Sequence, residues 1–133
     1  LHILAYAYEL GIDLTLADFE KYAKEIYCIN AVIPSGPYTV VDFHYAGGVK
    51  NVMKMLESKL HTDAPTMYGN TWKDILENVT PKENEVIHSL ENPVAKEPGL
   101  KILRGNISPE GAIVRPTAVF EEVKYIKGAA KVF

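Results

Sequence analysis

Cysteine is nearly absent from this sequence, since Cys28 is the single one among 133 residues. One cysteine excludes a disulfide within the chain and any metal site built from several cysteine thiolates. The sequence places no basic cluster near this thiol to lower its pKa, which favours a structural role over a reactive one. Low cysteine use is typical of a reducing compartment, and we therefore expect a cytoplasmic protein.

Long apolar runs and an excess of one charge are also missing. No stretch approaches the roughly 20 apolar residues of a membrane span, and residues 1–10 lack the basic start of a signal peptide. The net charge is −3, with acidic and basic residues mixed, so we expect neither a nucleic-acid nor a membrane partner. The sequence starts and stops inside periodic patterns, at Leu1 and Phe133, and we expect it to be a segment of a longer polypeptide.

The stretch from Ile33 to Leu60 combines a turn-rich first part with a helical second part. Two prolines and a glycine between residues 34 and 37 predict turns. Apolar residues then repeat at helical spacing and predict an amphipathic helix from Val49 to Leu60. The apolar stripe consists of Val49, Val52, Met53, Leu56 and Leu60, and the polar side consists of Lys50, Asn51, Lys54, Glu57 and Lys59.

Gly47 and Gly48 lie at the start of that predicted helix. A glycine pair lets a ligand approach the backbone closely, and the first N–H groups of a helix attract an anion. Asp42, His44 and Tyr45 precede the pair and carry titratable or hydrogen-bonding ends. These features predict a ligand-binding loop, and a tight turn beside a buried histidine explains the same residues equally well.

The remaining pattern is helical up to residue 90 and β-like beyond residue 99. Threonine followed three residues later by an acidic residue is a helix start signal, and apolar spacing adds a helix at the beginning of the chain. Helices are predicted over residues 1–10, from Thr15 to about Tyr27, from Thr71 onward and over 81–90 after Thr80. Strands are predicted over residues 100–103, 112–114, 117–120, 123–126 and 130–133, with a type I turn at 108–111. Residues 91–98 have no period and predict a linker.

Two stretches resemble signature segments of the dihydroxy-acid dehydratase / 6-phosphogluconate dehydratase family. Residues 103–115 (LRGNISPEGAIVR) resemble its LxGNLAPxGAVVK segment, and residues 42–48 (DFHYAGG) resemble its D-[LF]-[HY]-x-AGG segment. Residues 1–5 (LHILA) match its LHLxA, and shorter matches follow in the family's order. The resemblance therefore runs along nearly the whole chain.

The resemblance implies a dehydratase that removes water from a vicinal dihydroxy acid to give a 2-keto acid. Family members use an iron–sulfur cluster on the departing hydroxyl, Mg²⁺ on the substrate carboxylate and a base for the proton beside that carboxylate. The resemblance also implies homodimers, and an α/β N-terminal domain followed by a β-barrel C-terminal domain. We therefore expect an α+β segment: residues 1–90 as the helical end of the first domain, 91–98 as the linker, and 99–133 as the first strands of the second.

The family's cluster cysteines, Mg²⁺ ligands and catalytic serine correspond to positions outside this sequence. The resemblance therefore implies no catalytic residue and no metal ligand here. It leaves a substrate-side contribution from two loops that we expect to face the interdomain cleft. Those residues are Asp42, His44, Gly47, Gly48, Gly105 and Asn106. For Gly105 and Asn106, a β-bulge and turn that only shape the barrel is an equal alternative.

The substrate stays open at this point. We favour the dihydroxy acid of branched-chain amino acid biosynthesis, because that enzyme is the commonest member of the family. Sugar acids (arabonate, xylonate, gluconate or 6-phosphogluconate) are the alternative, and Phe43, Tyr45, Arg104 and Pro116 resemble the sugar-acid members. A non-catalytic binding module of dehydratase-like shape is a third reading.

Overall fold

Short helices alternate with short strands along residues 2–129 and 131, which the computed structural model describes. The helices are α1 (His2–Glu9), α2 (Leu16–Ala23), α3 (Val40–Tyr45), α4 (Gly48–Met55) and α5 (Trp72–Leu76). The strands are β1 (Tyr27–Cys28), β2 (Ala95–Pro98), β3 (Lys101–Gly105) and β4 (Ser108–Val114). Three-residue 3-10 helices lie at Glu57–Lys59, Pro116–Ala118 and Glu121–Val123. This mixture confirms the predicted α+β class, whereas the β-barrel stays a prediction.

The chain divides into two units. One unit consists of residues 26–97, and the other combines residues 1–25 with residues 98–133. The predicted domain boundaries of a longer protein, with a linker over 91–98, stay predictions. Within the described residues, no helix is long and apolar enough to cross a membrane.

The core of the unit 26–97 lies where residues 28–31 run beside residues 86–88. The N–H of Ala31 donates to the carbonyl of Val86 over 2.9 Å, and the N–H of His88 donates to Ile29 over 2.8 Å. Ile87 is fully buried between these two hydrogen bonds, and Leu76 of α5 is fully buried as well. Burial of such large aliphatic side chains is a main source of stability for this unit.

The other unit is built on a hairpin and on helix α2. Strands β3 and β4 pair antiparallel, with Ile102 opposite Ile113 and Gly105 opposite Ser108. Helix α2 packs on β3, where the Arg104 guanidinium donates to the Glu20 carboxylate over 3.1 Å. The hydrogen bond from Lys24 and the one from Arg104 together lower the pKa of Glu20.

Two of the predicted helix starts are confirmed, and a third start was missed. The N–H and hydroxyl of Thr15 both donate to the Asp18 carboxylate, and residue 71 is bonded to residue 74 in the same way. Thr39 begins α3 with the same spacing. Helix α1 ends at Glu9, and Gly11, the predicted stop just beyond it, has a φ of 65°. A local side-chain hydrogen bond is enough to begin each of these helices.

The predicted helix over residues 81–90 is wrong. The side chain of Asn51, 31 residues away in the sequence, binds both the N–H and the carbonyl of Lys82. Asn84 uses its side-chain oxygen to accept the N–H groups of Val86 and Ile87. These backbone groups therefore have partners that a helix would not allow. The sequence pattern predicts Asn51 on the polar side of its helix. In the structure, however, Asn51 is buried with 3% of its surface exposed.

Several β predictions are also wrong. Residues 108–111 belong to β4, and the turn of the hairpin lies at residues 106–107. Residues 117–120 and 123–126 are not strands, because the N–H groups of Ala118 and Val119 donate locally to Arg115 and Pro116. The predicted strand 130–133 lies outside the described residues, apart from Lys131, which is irregular.

Three element boundaries also differ from prediction. Helix α2 ends at Ala23, before the predicted Tyr27, because Tyr27 and Cys28 form β1 and pair with β2. Strand β2 lies inside the segment 91–98 that has no sequence period. The helix expected over 49–60 is α4 followed by a 3-10 turn. Pairing with a strand distant in the sequence therefore shortened the helix at residue 23.

The buried Leu76 side chain gives a stability prediction. Leu76→Ala should lower the free energy of unfolding by about 2–5 kcal/mol, because it leaves a cavity. Leu76→Met keeps the volume and should cost less than about 1.5 kcal/mol. Urea unfolding followed by tryptophan fluorescence measures both variants. Equal transition midpoints for Leu76→Ala and the parent would contradict the assignment of Leu76 to the core.

Candidate functional site

Helix α3 carries two of the predicted site residues and begins with a capping box. The N–H and the hydroxyl of Thr39 each donate to Oδ2 of Asp42 over 2.7 Å, and the N–H of Asp42 donates back to the Thr39 hydroxyl over 3.3 Å. The Thr39 side-chain hydrogen bond, followed by the backbone one, lowers the pKa of Asp42. The Asp42 carboxylate therefore holds the helix start and is ionised at neutral pH.

Gly47 lies between α3 and α4 and Gly48 is the first residue of α4, and we call these two residues the glycine turn. Gly47 has a φ of 108° and Gly48 a φ of 59°, both in the region that favours glycine. A Cβ on Gly47 would lie 2.7 Å from Cβ of Asn51, whereas a Cβ on Gly48 would meet nothing within 4 Å. The missing Cβ of Gly47 therefore leaves the space that the Asn51 side chain occupies, and open space in front of Gly48 leaves room beside the backbone.

His44 and Tyr45 are exposed at the end of α3. Their rings meet edge to face with centroids 5.5 Å apart. The alternative reading with a buried histidine is therefore wrong, although the tight turn itself is present. An exposed imidazole next to the glycine turn is available to a ligand.

A cleft of about 390 Å³ lies beside α3 within the unit 26–97. It is lined by Tyr38, Asp42, Tyr45, Ala46, Lys82, Asn84, Glu85 and Val86. The Tyr38 hydroxyl donates to the Glu85 carboxylate over 2.7 Å, and this hydrogen bond raises the pKa of Tyr38. Asp42 is the one predicted site residue in this lining, while the two glycines follow directly after Ala46. The polar groups of the cleft are largely bonded to each other.

Gly105 and Asn106 lie at the tip of the β3–β4 hairpin, in the other unit. Gly105 pairs with Ser108, the register shifts between Leu103 and Gly105, and the turn follows at Asn106 and Ile107. The backbone therefore has the β-bulge and turn that the sequence offers as the alternative to a substrate-binding role. A contact of these residues with substrate stays a prediction.

The cofactors implied by the resemblance do not fit the side chains that this chain brings together. Cys28 is buried, and its thiol donates to the carbonyl of Asn30 over 3.6 Å. Among the described residues, no group of three His, Cys, Asp or Glu side chains lies close enough to hold a metal ion. Within the described part of the chain, these side chains therefore form no set that suits either cofactor, and the location of their ligands stays a prediction.

The capping box at Thr39 predicts a pH effect on α3. Thr39→Val removes the hydroxyl, and the pKa of Asp42 should then rise towards its ordinary value. Because the folded-state pKa is lowered, the cap stabilises α3 fully above the usual carboxyl pKa of about 3.9 and is lost as the pH falls through the lower folded value. Titration of carboxyl ¹³C shifts by NMR measures this pKa. The Asp18 carboxyl is the internal control and should not change, and an unchanged Asp42 would contradict the cap.

The two glycines should differ in their tolerance of alanine. Gly47→Ala should destabilise the protein by about 1–3 kcal/mol, because the backbone is strained and the new methyl displaces Asn51. Gly48→Ala meets only the backbone strain, of about 1–2 kcal/mol, and should cost less. Gly99→Ala, in open space with an ordinary backbone, is the control with little effect. Urea unfolding midpoints measure all three, and a larger loss for Gly48→Ala than for Gly47→Ala would disprove the close approach of Asn51.

Two family models together match nearly the whole chain. A family model described as "Dihydroxy-acid/6-phosphogluconate dehydratase N-terminal" matches residues 1–78, and the corresponding C-terminal model matches residues 85–133. Residues 79–84 lie between the two matched ranges.

Individual relatives agree with the family models. The chain is 41% identical over 133 residues to a dihydroxy-acid dehydratase of Geobacter sp. (strain M21), with 100% of this chain and 24% of the relative covered. It is 44% identical over 138 residues to the dihydroxy-acid dehydratase of Crocosphaera subtropica, with the same coverage of both chains. The chain thus spans about a quarter of the length of these curated relatives. From these matches along its length, the chain belongs to the dihydroxy-acid/6-phosphogluconate dehydratase family.

Proposed function

We propose that this chain is part of a hydro-lyase that converts a 2,3-dihydroxy acid into a 2-keto acid. The supporting observation is the match of both family models in order along the chain, together with relatives named dihydroxy-acid dehydratase at 41% and 44% identity. In this reaction a base removes the proton from C2, the hydroxyl leaves C3 as water, and the resulting enol tautomerises to the keto acid. The branched dihydroxy acid of branched-chain amino acid biosynthesis is the proposed substrate.

The glycine turn is the part of the unit 26–97 that we propose to face the substrate. Open space lies in front of Gly48, and the first N–H groups of α4 have no partner within the helix itself. A carboxylate or hydroxyl of a polyhydroxy acid suits such donors. His44 is exposed nearby, and Asp42 holds the start of α3. These residues contribute shape and hydrogen bonds, and the hairpin residues Gly105 and Asn106 stay predictions.

The groups that carry out the reaction belong, in this proposal, to other parts of a longer polypeptide. The relatives are about four times as long as this chain. The iron–sulfur cluster and Mg²⁺ would assist departure of the hydroxyl and hold the substrate carboxylate, with ligands outside this chain. We also propose a cytoplasmic homodimer.

Sugar acids are the second candidate substrate. The matching family models are named for 6-phosphogluconate dehydratase as well as for dihydroxy-acid dehydratase. The same elimination of water from C2 and C3 applies to both substrate classes. Activity with each class therefore distinguishes the two candidates.

Product analysis tests the proposal directly. The full-length protein that carries this chain, purified without oxygen, should convert a branched 2,3-dihydroxy acid into its 2-keto acid, measured as a hydrazone. In D₂O the product should carry one deuterium at C3, because the enol takes that proton from solvent. Turnover of gluconate or 6-phosphogluconate alone would favour the sugar-acid candidate. No keto acid from any of the three substrates would overturn the proposed function.

A further inference from the structure

We infer that Asn51 and Asn84 are positioning residues that hold the Gly47–Gly48 turn in a single conformation. We call these two side chains the amide pair. The inference rests on the proposed function in one respect, namely that the turn lies on the substrate side. The hydrogen bonds of the amide pair do not depend on that assignment.

The two side-chain amides converge on the same two carbonyl groups. Nδ2 of Asn51 donates to the carbonyl of Ala46 over 3.1 Å and to that of Lys82 over 2.8 Å. Nδ2 of Asn84 donates to the same carbonyls of Ala46 and Lys82, each over 3.1 Å. Each carbonyl oxygen has two lone pairs and can accept both donors. The Ala46 carbonyl is thus held from both sides immediately before the glycine turn.

The oxygen atoms of the amide pair connect the turn to the rest of the unit. Oδ1 of Asn51 accepts the N–H of Lys82 over 3.0 Å. Oδ1 of Asn84 accepts the N–H groups of Val86 over 3.0 Å and of Ile87 over 2.9 Å, and Ile87 is fully buried. Asn51 is itself 3% exposed. The turn is therefore tied to the buried core through two side chains.

The Ala46 carbonyl controls the geometry of the turn because the peptide unit is planar. Fixing the direction of this carbonyl also fixes the N–H of Gly47, which donates to the carbonyl of His44 over 3.1 Å. The absence of a Cβ on Gly47 leaves the space that Asn51 occupies. A turn held in this way is preorganised, so binding a ligand there does not require ordering of the backbone.

The test uses an isosteric change that removes only the donors. Asn84→Asp keeps an oxygen that accepts from Val86 and Ile87 but replaces the NH₂ group that donates to Ala46 and Lys82. Asn84→Ser, a neutral variant whose short hydroxyl can still accept locally, separates loss of the donors from the added charge. Asn70→Asp is the matched control: the same change at an exposed residue whose oxygen accepts from Thr66. All variants are made in the full-length protein that carries this chain.

Amide hydrogen exchange and steady-state kinetics with the dihydroxy acid are the two readouts. In both Asn84 variants the Gly47 amide, which donates to the carbonyl of His44, should exchange about tenfold faster, the change expected when roughly 1.4 kcal/mol of hydrogen bonding is lost. Their KM should rise by a similar factor with little change in kcat, whereas Asn70→Asp should match the parent. A general loss of folded enzyme would lower the apparent kcat and leave KM unchanged.

The outcomes separate this inference from the proposed function. Unchanged exchange of the Gly47 amide in both Asn84 variants would overturn the inference, whatever the kinetics show. Faster exchange with an unchanged KM would support the positioning role of the amide pair, but would overturn the assignment of the turn to the substrate side. If the parent protein forms no keto acid, the proposed function fails, while the exchange measurement still decides whether the amide pair holds the turn.

Discussion

The hydrogen bonds of one buried side-chain amide, that of Asn51, hold the backbone around the candidate site. An amide removed from water is tolerated only when its donors and acceptor are bonded, and here Ala46 and Lys82 supply three partners. Two consequences follow from satisfying this one group. Residues 81–84 form no helix, because the N–H and the carbonyl of Lys82 bind side chains rather than the groups of a helix. Residue 47 must be glycine, because its missing Cβ leaves the space for Asn51.

The helix starts show how far local sequence signals carry the prediction and where they stop. Thr15, Thr39 and Thr71 each begin a helix with an aspartate three residues later, and two of the three were predicted from that pattern alone. Thr80 has the fullest signal, with proline at the next position, yet no helix follows it. The difference lies in tertiary hydrogen bonds from Asn51 and Asn84, whose partners cannot be inferred from local spacing. A capping pattern therefore predicts a helix only where the following backbone has no better partner.

The β region shows the same limit in a different form. The hairpin of β3 and β4 was partly predicted because β-branched and aliphatic residues occupy both strands. The turn was placed too late, since a proline and glycine pattern at residues 108–111 lies within β4 itself. Both strands of a two-stranded sheet are edge strands, and an edge strand tolerates proline. Residues 117–126 have strand-forming side chains but form 3-10 turns, because a strand needs a neighbour to accept its hydrogen bonds.

Some residues of the candidate site can be recognised from the local sequence, and others only from contacts between residues distant in the sequence. The glycine pair at the start of α4 was recognisable from the sequence, whereas Asn84, 38 residues from Ala46, had no local signal. Two polar groups in and just before α3 are already hydrogen-bonded, because the Asp42 carboxylate caps the helix and the Tyr38 hydroxyl, which precedes it, is bound to Glu85. Groups already bonded in this way are poor candidates for proton transfer. In the proposed dehydratase, this chain would therefore contribute a shaped backbone, and the proposal places the reacting groups elsewhere in a longer polypeptide.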